Sequence, residues 1–309
     1  LLSAFLGLGI GCLRADRRSL LGLWPASLLL LALAALGLGQ VVFTQNSASE
    51  HLWLLYYDQR PGAPVVGDVR APIVVAFVLS ALTFIPLGQM VAQRLDLFRK
   101  RSSPLWGYSA DLLGSLLGVV VFSLASFAGT SPPLWFILVF GAALPFYVFG
   151  LRPGLAYAAT AAAMVALVAN GGRADFYSPY YALAIRDTGP TGFSVLANGS
   201  LHQVAVRLDR EAPVLSSFQE RVRIGYHLPY DMLGRAPGRV LVLGAGTGND
   251  VAVALDRGAE HVDAVEIDPL ILKLGRDRHP NHPYASPRVT VVNGDARSFL
   301  NATHEKYDL

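Results

Sequence analysis

Arg239-Val-Leu-Val-Leu-Gly-Ala-Gly-Thr-Gly248 is an apolar run that passes directly into a turn with three glycines in five residues. A run of Val and Leu that ends in such a turn and continues as a helix is the opening unit of a parallel α/β sheet. Glycine lets the backbone reverse sharply and leaves no side chain between the chain and a ligand. Outward from the turn, Val262 to Ile267 and Val289 to Val292 read as two further strands, with helical stretches after Gly248 and after Pro269. The second strand carries a carboxylate near its end, Glu266, which is placed to accept both hydroxyls of a ribose. A pocket for an adenosine-containing cofactor is therefore expected, with Gly244, Gly246, Gly248 and Glu266 as its residues. The spacing Gly-x-Gly-x-Gly is tighter than that of a dinucleotide turn, which argues against a dinucleotide.

The rest of the chain divides by solvent. Of 309 residues, 53% are hydrophobic and only 15% charged, too apolar for an ordinary soluble protein. Almost all of the excess lies before residue 171. Leu1 to Leu13 is apolar but too short to cross a bilayer, whereas Leu20 to Thr44, Pro72 to Val91, Leu105 to Gly129, Leu134 to Gly150 and Leu155 to Asn170 approach the spanning length of about 20 residues. A multi-pass, α-helical membrane region with the lipid bilayer as partner is expected over 1–170. A small β unit and linker is expected over 171–235, and a Rossmann-like parallel-sheet domain, incomplete at its C-terminus, over 236–309. The chain opens on Leu1 without a methionine and stops at Tyr307-Asp308-Leu309, the start of an unfinished strand, so a fragment is expected at both ends.

Arg14, Arg17 and Arg18 mark one loop as cytoplasmic, and Arg94, Arg99, Lys100 and Arg101 mark another, whereas Gln45 to Arg70 has mixed charge. Continued strictly through all the apolar segments, this alternation puts everything after Asn170 outside the cytoplasm, where an adenosine cofactor is scarce. The conflict disappears if one of the two short segments, separated by Leu151-Arg-Pro-Gly154, does not cross, and a cytoplasmic cofactor domain is the expectation retained. Asp111 is the one carboxylate well inside an apolar segment. Pairing with Arg99 or Arg101 is its expected role, because pairing lowers the cost of insertion. Gly114 and Gly118 at four-residue spacing are expected to let another helix approach closely.

The net charge of +3 is spread over short loops between apolar segments, so no nucleic-acid partner is expected. The single cysteine, Cys12, rules out a disulfide framework or a multi-cysteine metal site within the chain. His279-Pro280 and His282 match no metal spacing and are read as loop residues.

In the second half, Tyr181 to Arg186, Phe193 to Leu196 and Leu201 to Val206 read as strands, with turns at Gly189-Pro190 and Asn198-Gly199. Gln219 to Leu233 reads as a helix leading into the first α/β strand. Asn293-Gly-Asp295-Ala ends the third strand; Asp295 is either a helix N-cap or the acceptor for the amino group of adenine, and its company with Glu266 and the glycine turn favours the second. Asp268, before Pro269, is expected to cap the next helix. Tyr177, Tyr180, Tyr181, Tyr226 and Tyr230 with His227 either line a pocket for an amine or pack the β unit on the α/β domain. Asn198-Gly-Ser and Asn301-Ala-Thr match the glycosylation pattern, which matters only in a secreted setting.

At the glycine turn and its carboxylates the segment resembles the class I S-adenosylmethionine-dependent fold. Ser178-Pro-Tyr-Tyr181, Leu196-Ala-Asn-Gly199, Tyr226-His227 and Val265-Glu-Ile-Asp268 extend the resemblance, over about 176–309, to the spermidine synthase (polyamine aminopropyltransferase) family in a membrane-attached form. The resemblance implies decarboxylated S-adenosylmethionine as cofactor, a small-molecule amine as substrate, and aminopropyl transfer to a polyamine. It places Gly244, Gly246, Gly248, Glu266 and Asp295 at the cofactor, Tyr180 and His227 at the amine, and the catalytic aspartate beyond Leu309. The chain departs from the family where Thr247 stands for an aspartate in the turn, Tyr181 for a glutamine and Asn198 for an aspartate. Thr247 keeps open a methyltransferase using S-adenosylmethionine itself; Asp250 either substitutes for the missing acid or stabilises the dipole of the helix it begins. Asp111 and the glycines keep open a membrane transporter or sensor with a non-catalytic cofactor domain. Neither the acceptor nor the oligomeric state is legible.

Overall fold

A computed structural model describes residues 1–38, 42–43, 65–66, 70–101, 103–148, 151–171, 174–188, 192–211 and 217–309. The turn expected at Gly189-Pro190 and most of the loop from Gln45 to Arg70 lie outside them. The chain forms two compact units, Leu1–Gly172 and Arg173–Leu309.

The first unit is helical: α1 (Leu2–Cys12), α2 (Trp24–Leu38), α3 (Arg70–Arg101), α4 (Pro104–Phe127), α5 (Pro132–Ala143) and α6 (Leu151–Gly171). Four helical stretches, Leu21–Leu38, Arg70–Arg101, Leu105–Phe127 and Pro153–Gly171, are long and apolar enough to cross a membrane, while Leu2–Cys12 and Pro132–Phe146 are shorter. The turn expected at Leu151-Arg-Pro-Gly154 is instead the first turn of α6. Proline fits there because the first helical N–H groups have no partner within the helix anyway.

The tightest packing joins α1 to α3. A β-carbon on Gly7 would lie 2.2 Å from the Ala81 carbonyl oxygen, one on Gly11 2.2 Å from that of Ile85, and one on Gly88 2.2 Å from that of Leu8. The backbones touch because both helices present glycine at the contact. Gly114 and Gly118, by contrast, have nothing within 4 Å, and the close approach expected of them is not made among the described residues. Small-residue spacing permits an approach; only a facing helix of matching relief produces one. Gln89, fully buried on α3, closes the end of α1: its amide donates to the carbonyls of Arg14 (2.8 Å), Arg17 and Arg18 and accepts from the Leu20 N–H. These carbonyls belong to the loop that follows α1, which Gln89 thereby ties to α3. Gly88→Ala should lower the stability of this unit by about 1–3 kcal/mol. Gly9→Ala, with nothing within 4 Å of the added carbon, should instead raise it by up to about 1 kcal/mol; thermal unfolding in detergent compares the two.

Asp111 is exposed on α4 and, among the described residues, forms no ion pair with Arg99 or Arg101. Near them on α3, Lys100 pairs with Asp96, one helical turn away. A four-residue spacing on one helix satisfies the lysine locally, whereas Asp111 lies on the next helix.

The second unit combines two sheets. Strands β1 (Phe176–Tyr177), β2 (Ala182–Asp187), β3 (Gly192–Ala197) and β4 (Ser200–Val206) form an antiparallel meander in that order. β3 and β4 are joined by the two-residue turn Asn198-Gly199, with φ of 52° and 86°. Positive φ at both central positions is the turn whose twist matches paired strands, and Asn-Gly is the pair that adopts it at least cost. Helix α7 (Ser217–Leu233) then leads into β5 (Arg239–Leu243), α8 (Asn249–Asp256), β6 (His261–Glu266), α9 (Pro269–Arg278), β7 (Val289–Asn293) and α10 (Ala296–Ala302).

The three strands pair parallel in the order β5-β6-β7. Val240, Val251, Val253, Val262 and Ala264 are buried between this sheet and its helices. Beyond β7 the chain returns to the far edge of β5: the Asp308 N–H donates to the Arg239 carbonyl and the Leu241 N–H to that of Leu309, both at 2.9 Å. The Asp308 carboxylate accepts from the N–H groups of Gly238 and Arg239 and from Arg235, and these bonds hold its pKa low. Strand order therefore reverses at β5. In an open α/β sheet, the crevice at the carboxyl ends of the strands beside such a reversal is where ligands bind.

Candidate cofactor site

The Gly244–Gly248 turn sits at that crevice. Gly244, Gly246 and Gly248 have φ of +71°, +58° and +107°, values that a β-carbon makes costly. Every N–H of the turn is used within the protein. Those of Gly244 and Ala245 donate to the Val265 carbonyl (2.8 and 2.9 Å), that of Gly246 to Glu266 Oε2 (2.9 Å), that of Thr247 to Gln203 Oε1 (2.9 Å), and that of Gly248 to the Ala245 carbonyl (2.9 Å). The Tyr284 hydroxyl donates to the Gly246 carbonyl (2.8 Å). Burial, and then the charge of Glu266, raise the pKa of that hydroxyl, so it remains a donor.

Glu266 is buried, and its second oxygen accepts from the Asp268 N–H at 2.8 Å. A carboxylate has about four acceptor positions, so two remain. Leu243, at the end of β5, and Ile267, the residue after Glu266, are exposed apolar side chains. Asp268 is fully buried and caps α9: Oδ1 accepts from Leu270 and Ile271, and Oδ2 accepts from the Ser178 hydroxyl at 2.5 Å. The same hydroxyl oxygen accepts from the Tyr181 N–H at 2.9 Å. The Ser178-Pro-Tyr-Tyr181 segment is thereby tied to the end of β6.

The fold brings Gly244, Gly246 and Gly248 together with Glu266. It places Asp295 as the N-cap of α10, accepting from the Ser298 N–H at 2.7 Å; that bond is the main reason its pKa is lowered. The end of β7 is fastened to that of β6 by Asn293 Nδ2, which donates to the carbonyls of Glu266 and Ile267. Tyr180 is exposed. His227 is buried with both ring nitrogens engaged: Arg257 Nε donates to Nδ1 at 2.7 Å, so Nε2 carries the proton and donates to the Leu208 carbonyl at 2.8 Å. An amine could meet only its ring surface. Tyr230 packs into the core, where burial raises its pKa to about 12, and the Tyr226 hydroxyl accepts from Asn249 Nδ2 at 3.1 Å. Asp250 is exposed at the start of α8, yet desolvation by the surrounding protein raises its pKa.

Sequence reasoning missed four residues that hold this site: Gln203, Asn249, His279 and Tyr284. His279 is a loop residue as expected, the first after α9, but it is fully buried. Its Nδ1 accepts from the Asn281 N–H, so Nε2 donates to Asn249 Oδ1 at 3.0 Å; Asn249 in turn bonds the backbone of Val204 and Val206 on β4. No spacing rule links residues from a strand, a helix start and a helix end, so no signal in the sequence announced them. Among the described residues no group of three or more His, Cys, Asp or Glu is arranged to hold a metal.

A parallel sheet with a glycine turn at its switch point and a carboxylate closing the next strand defines a Rossmann-like fold. Within that class, residues 225–309 match the family described as "Spermine/spermidine synthase domain". The chain is 36% identical over 87 residues to a polyamine aminopropyltransferase of Serratia proteamaculans, covering 27% of this chain and 30% of that protein. It is 34% identical over 96 residues to spermidine synthase 2 of Arabidopsis thaliana, covering 30% and 27%. A polyamine aminopropyltransferase of Salmonella arizonae is 34% identical over 87 residues. The chain thus spans about 30% of the length of the curated relatives it matches.

Proposed function

We propose that the second unit is the cofactor-binding part of an aminopropyltransferase, which holds decarboxylated S-adenosylmethionine at the Gly244–Gly248 turn and passes its aminopropyl group to a polyamine. The observation that carries this reading is the use of all five turn N–H groups inside the protein, together with two free acceptor positions on buried Glu266. A dinucleotide turn keeps N–H groups for pyrophosphate. A turn with none to offer, beside a carboxylate able to take two hydroxyls, suits a nucleoside without phosphate. Ile267 and Leu243 offer apolar surface to its base, and the free oxygen of Asp295 an acceptor for the amino group. The similarity of residues 225–309 to spermine/spermidine synthases supports the transfer itself. Bound there, the cofactor would supply an electrophilic carbon beside its sulfonium, with the thioether as leaving group and the proton of the alkylated amine passing to solvent. Glu266 and the turn orient the donor, and exposed Tyr180 offers an aromatic face to a cationic amine.

The test is product analysis with decarboxylated S-adenosylmethionine and a diamine. Aminopropyl transfer yields 5′-methylthioadenosine and an amine longer by one aminopropyl unit. Methylation of the amine, with the aminopropyl arm left on sulfur, would replace this reading with the methyltransferase. The methyltransferase is favoured by one feature, the neutral Thr247 in the turn.

We further propose that the first unit anchors the protein in a membrane with the second unit on the cytoplasmic side. If the four long stretches cross and Leu2–Cys12 and Pro132–Phe146 do not, the loops at Arg14–Arg18 and Arg99–Arg101 fall on one side. The chain after Gly171 then returns to that same side. Loop charge and cofactor supply then agree. A reporter fused after Gly171 should be active only in the cytoplasm; activity only outside would overturn the assignment.

A further inference from the structure

Glu266 and Gln203 accept from consecutive N–H groups of the turn, Gly246 and Thr247, at 2.9 Å each. β6 lies between β5 and β7. A ribose on Glu266 with its base toward the end of β7 therefore directs its 5′ arm the other way, over the turn after β5. Gln203 of β4 lies there: a β-carbon on Gly246 would stand 2.5 Å from its Oε1 and 3.3 Å from its Nε2. The amide orientation is fixed by its partners. The Thr247 N–H can only donate, and the Thr247 hydroxyl bonds the same oxygen at 3.0 Å, so Oε1 faces Thr247. Both lone pairs of Oε1 are spent, and the amide has only N–H left to offer. Thr247 is itself fully buried. At this point Gln203 therefore presents a neutral N–H donor to the arm of the ligand.

We propose that Gln203 is the specificity-determining residue for the amino-acid end of the cofactor. Its amide N–H pairs with a carboxylate there, so that S-adenosylmethionine is held at least as tightly as its decarboxylated form. This rests on the nucleoside reading of the Glu266 site, and it moves selection of the donor from binding to the transfer step.

Calorimetry with three ligands tests it: 5′-methylthioadenosine, which lacks the arm, S-adenosylmethionine and decarboxylated S-adenosylmethionine. The wild-type protein should bind the carboxylated form with equal or greater affinity than the decarboxylated one. Gln203→Glu keeps the two acceptor bonds to Thr247 but adds charge, and should shift the ratio at least tenfold toward the decarboxylated form while methylthioadenosine affinity stays the same. A wild-type preference above tenfold for the decarboxylated form overturns the proposal without need of any variant. An equal change for all three ligands in Gln203→Glu overturns it also, leaving Gln203 as a clamp on the turn. Failure of methylthioadenosine to bind the wild type removes the nucleoside reading, and this inference with it.

Discussion

Glu266→Gln should lower affinity for an adenosyl sulfonium at least 100-fold. Two hydrogen bonds from ribose hydroxyls to a buried carboxylate contribute about 1.5–3 kcal/mol each, and 1.4 kcal/mol is a factor of ten. The substitution keeps size and shape but turns one acceptor into a donor, which then faces either the Gly246 or the Asp268 N–H. One of these buried N–H groups loses its partner, and the turn loosens by a further ~1–3 kcal/mol. Calorimetry measures the affinity, and thermal unfolding checks that the fold survives. Unchanged affinity in a folded variant would mean that the carboxylate serves only to pin the turn.

The second large effect is on stability against pH. His279 is fully buried, and its pKa falls to about 4, chiefly through burial and then through the nearby His282, with Asp209 opposing. The folded-state value lies below the unfolded value of about 6.5, so the unfolded chain binds the proton first as pH falls. The stabilisation is complete above pH 6.5 and is lost progressively down to pH 4. The loss reaches about 3 kcal/mol at one pKa unit per 1.36 kcal/mol. His279→Gln can still donate to Asn249 and has no proton to gain. Its stability should therefore change less than that of the wild type between pH 6.5 and 4. Chemical denaturation across that interval gives the difference between the two proteins; parallel profiles would show that His279 is not the group responsible.

His279 also marks the boundary of what sequence reasoning can reach. Its neighbours in sequence, Pro280 and His282, suggest a loop. Its ring is held by Asn249, 30 residues away along the chain, which in turn is bonded to β4. Glu266 was legible because its partners belong to the same βαβ repeat, whose register is set by the strand period. Gln203 was not, because a polar residue on a strand reads as a solvated position until another element covers it. His227 beside Tyr226 suggested an amine pocket, yet Arg257 and Leu208 occupy both of its nitrogens. The glycines were half legible. Those of the turn announce positive φ, while Gly7, Gly11 and Gly88 matter only because α1 and α3 face each other.

By itself the sequence determined the elements, because hydrophobic period, turn chemistry and glycine are local properties. It specified a helical apolar half, the Asn198-Gly199 hairpin, three α/β strands with two helices between them, and a carboxylate at the end of the second of those strands. Tertiary structure alone decided where these meet: the reversal of strand order at β5, the spending of every N–H in the glycine turn, and the neutral Gln203 laid over it. Each depends on groups distant in the chain reaching hydrogen-bond distance, which packing fixes and local sequence does not encode.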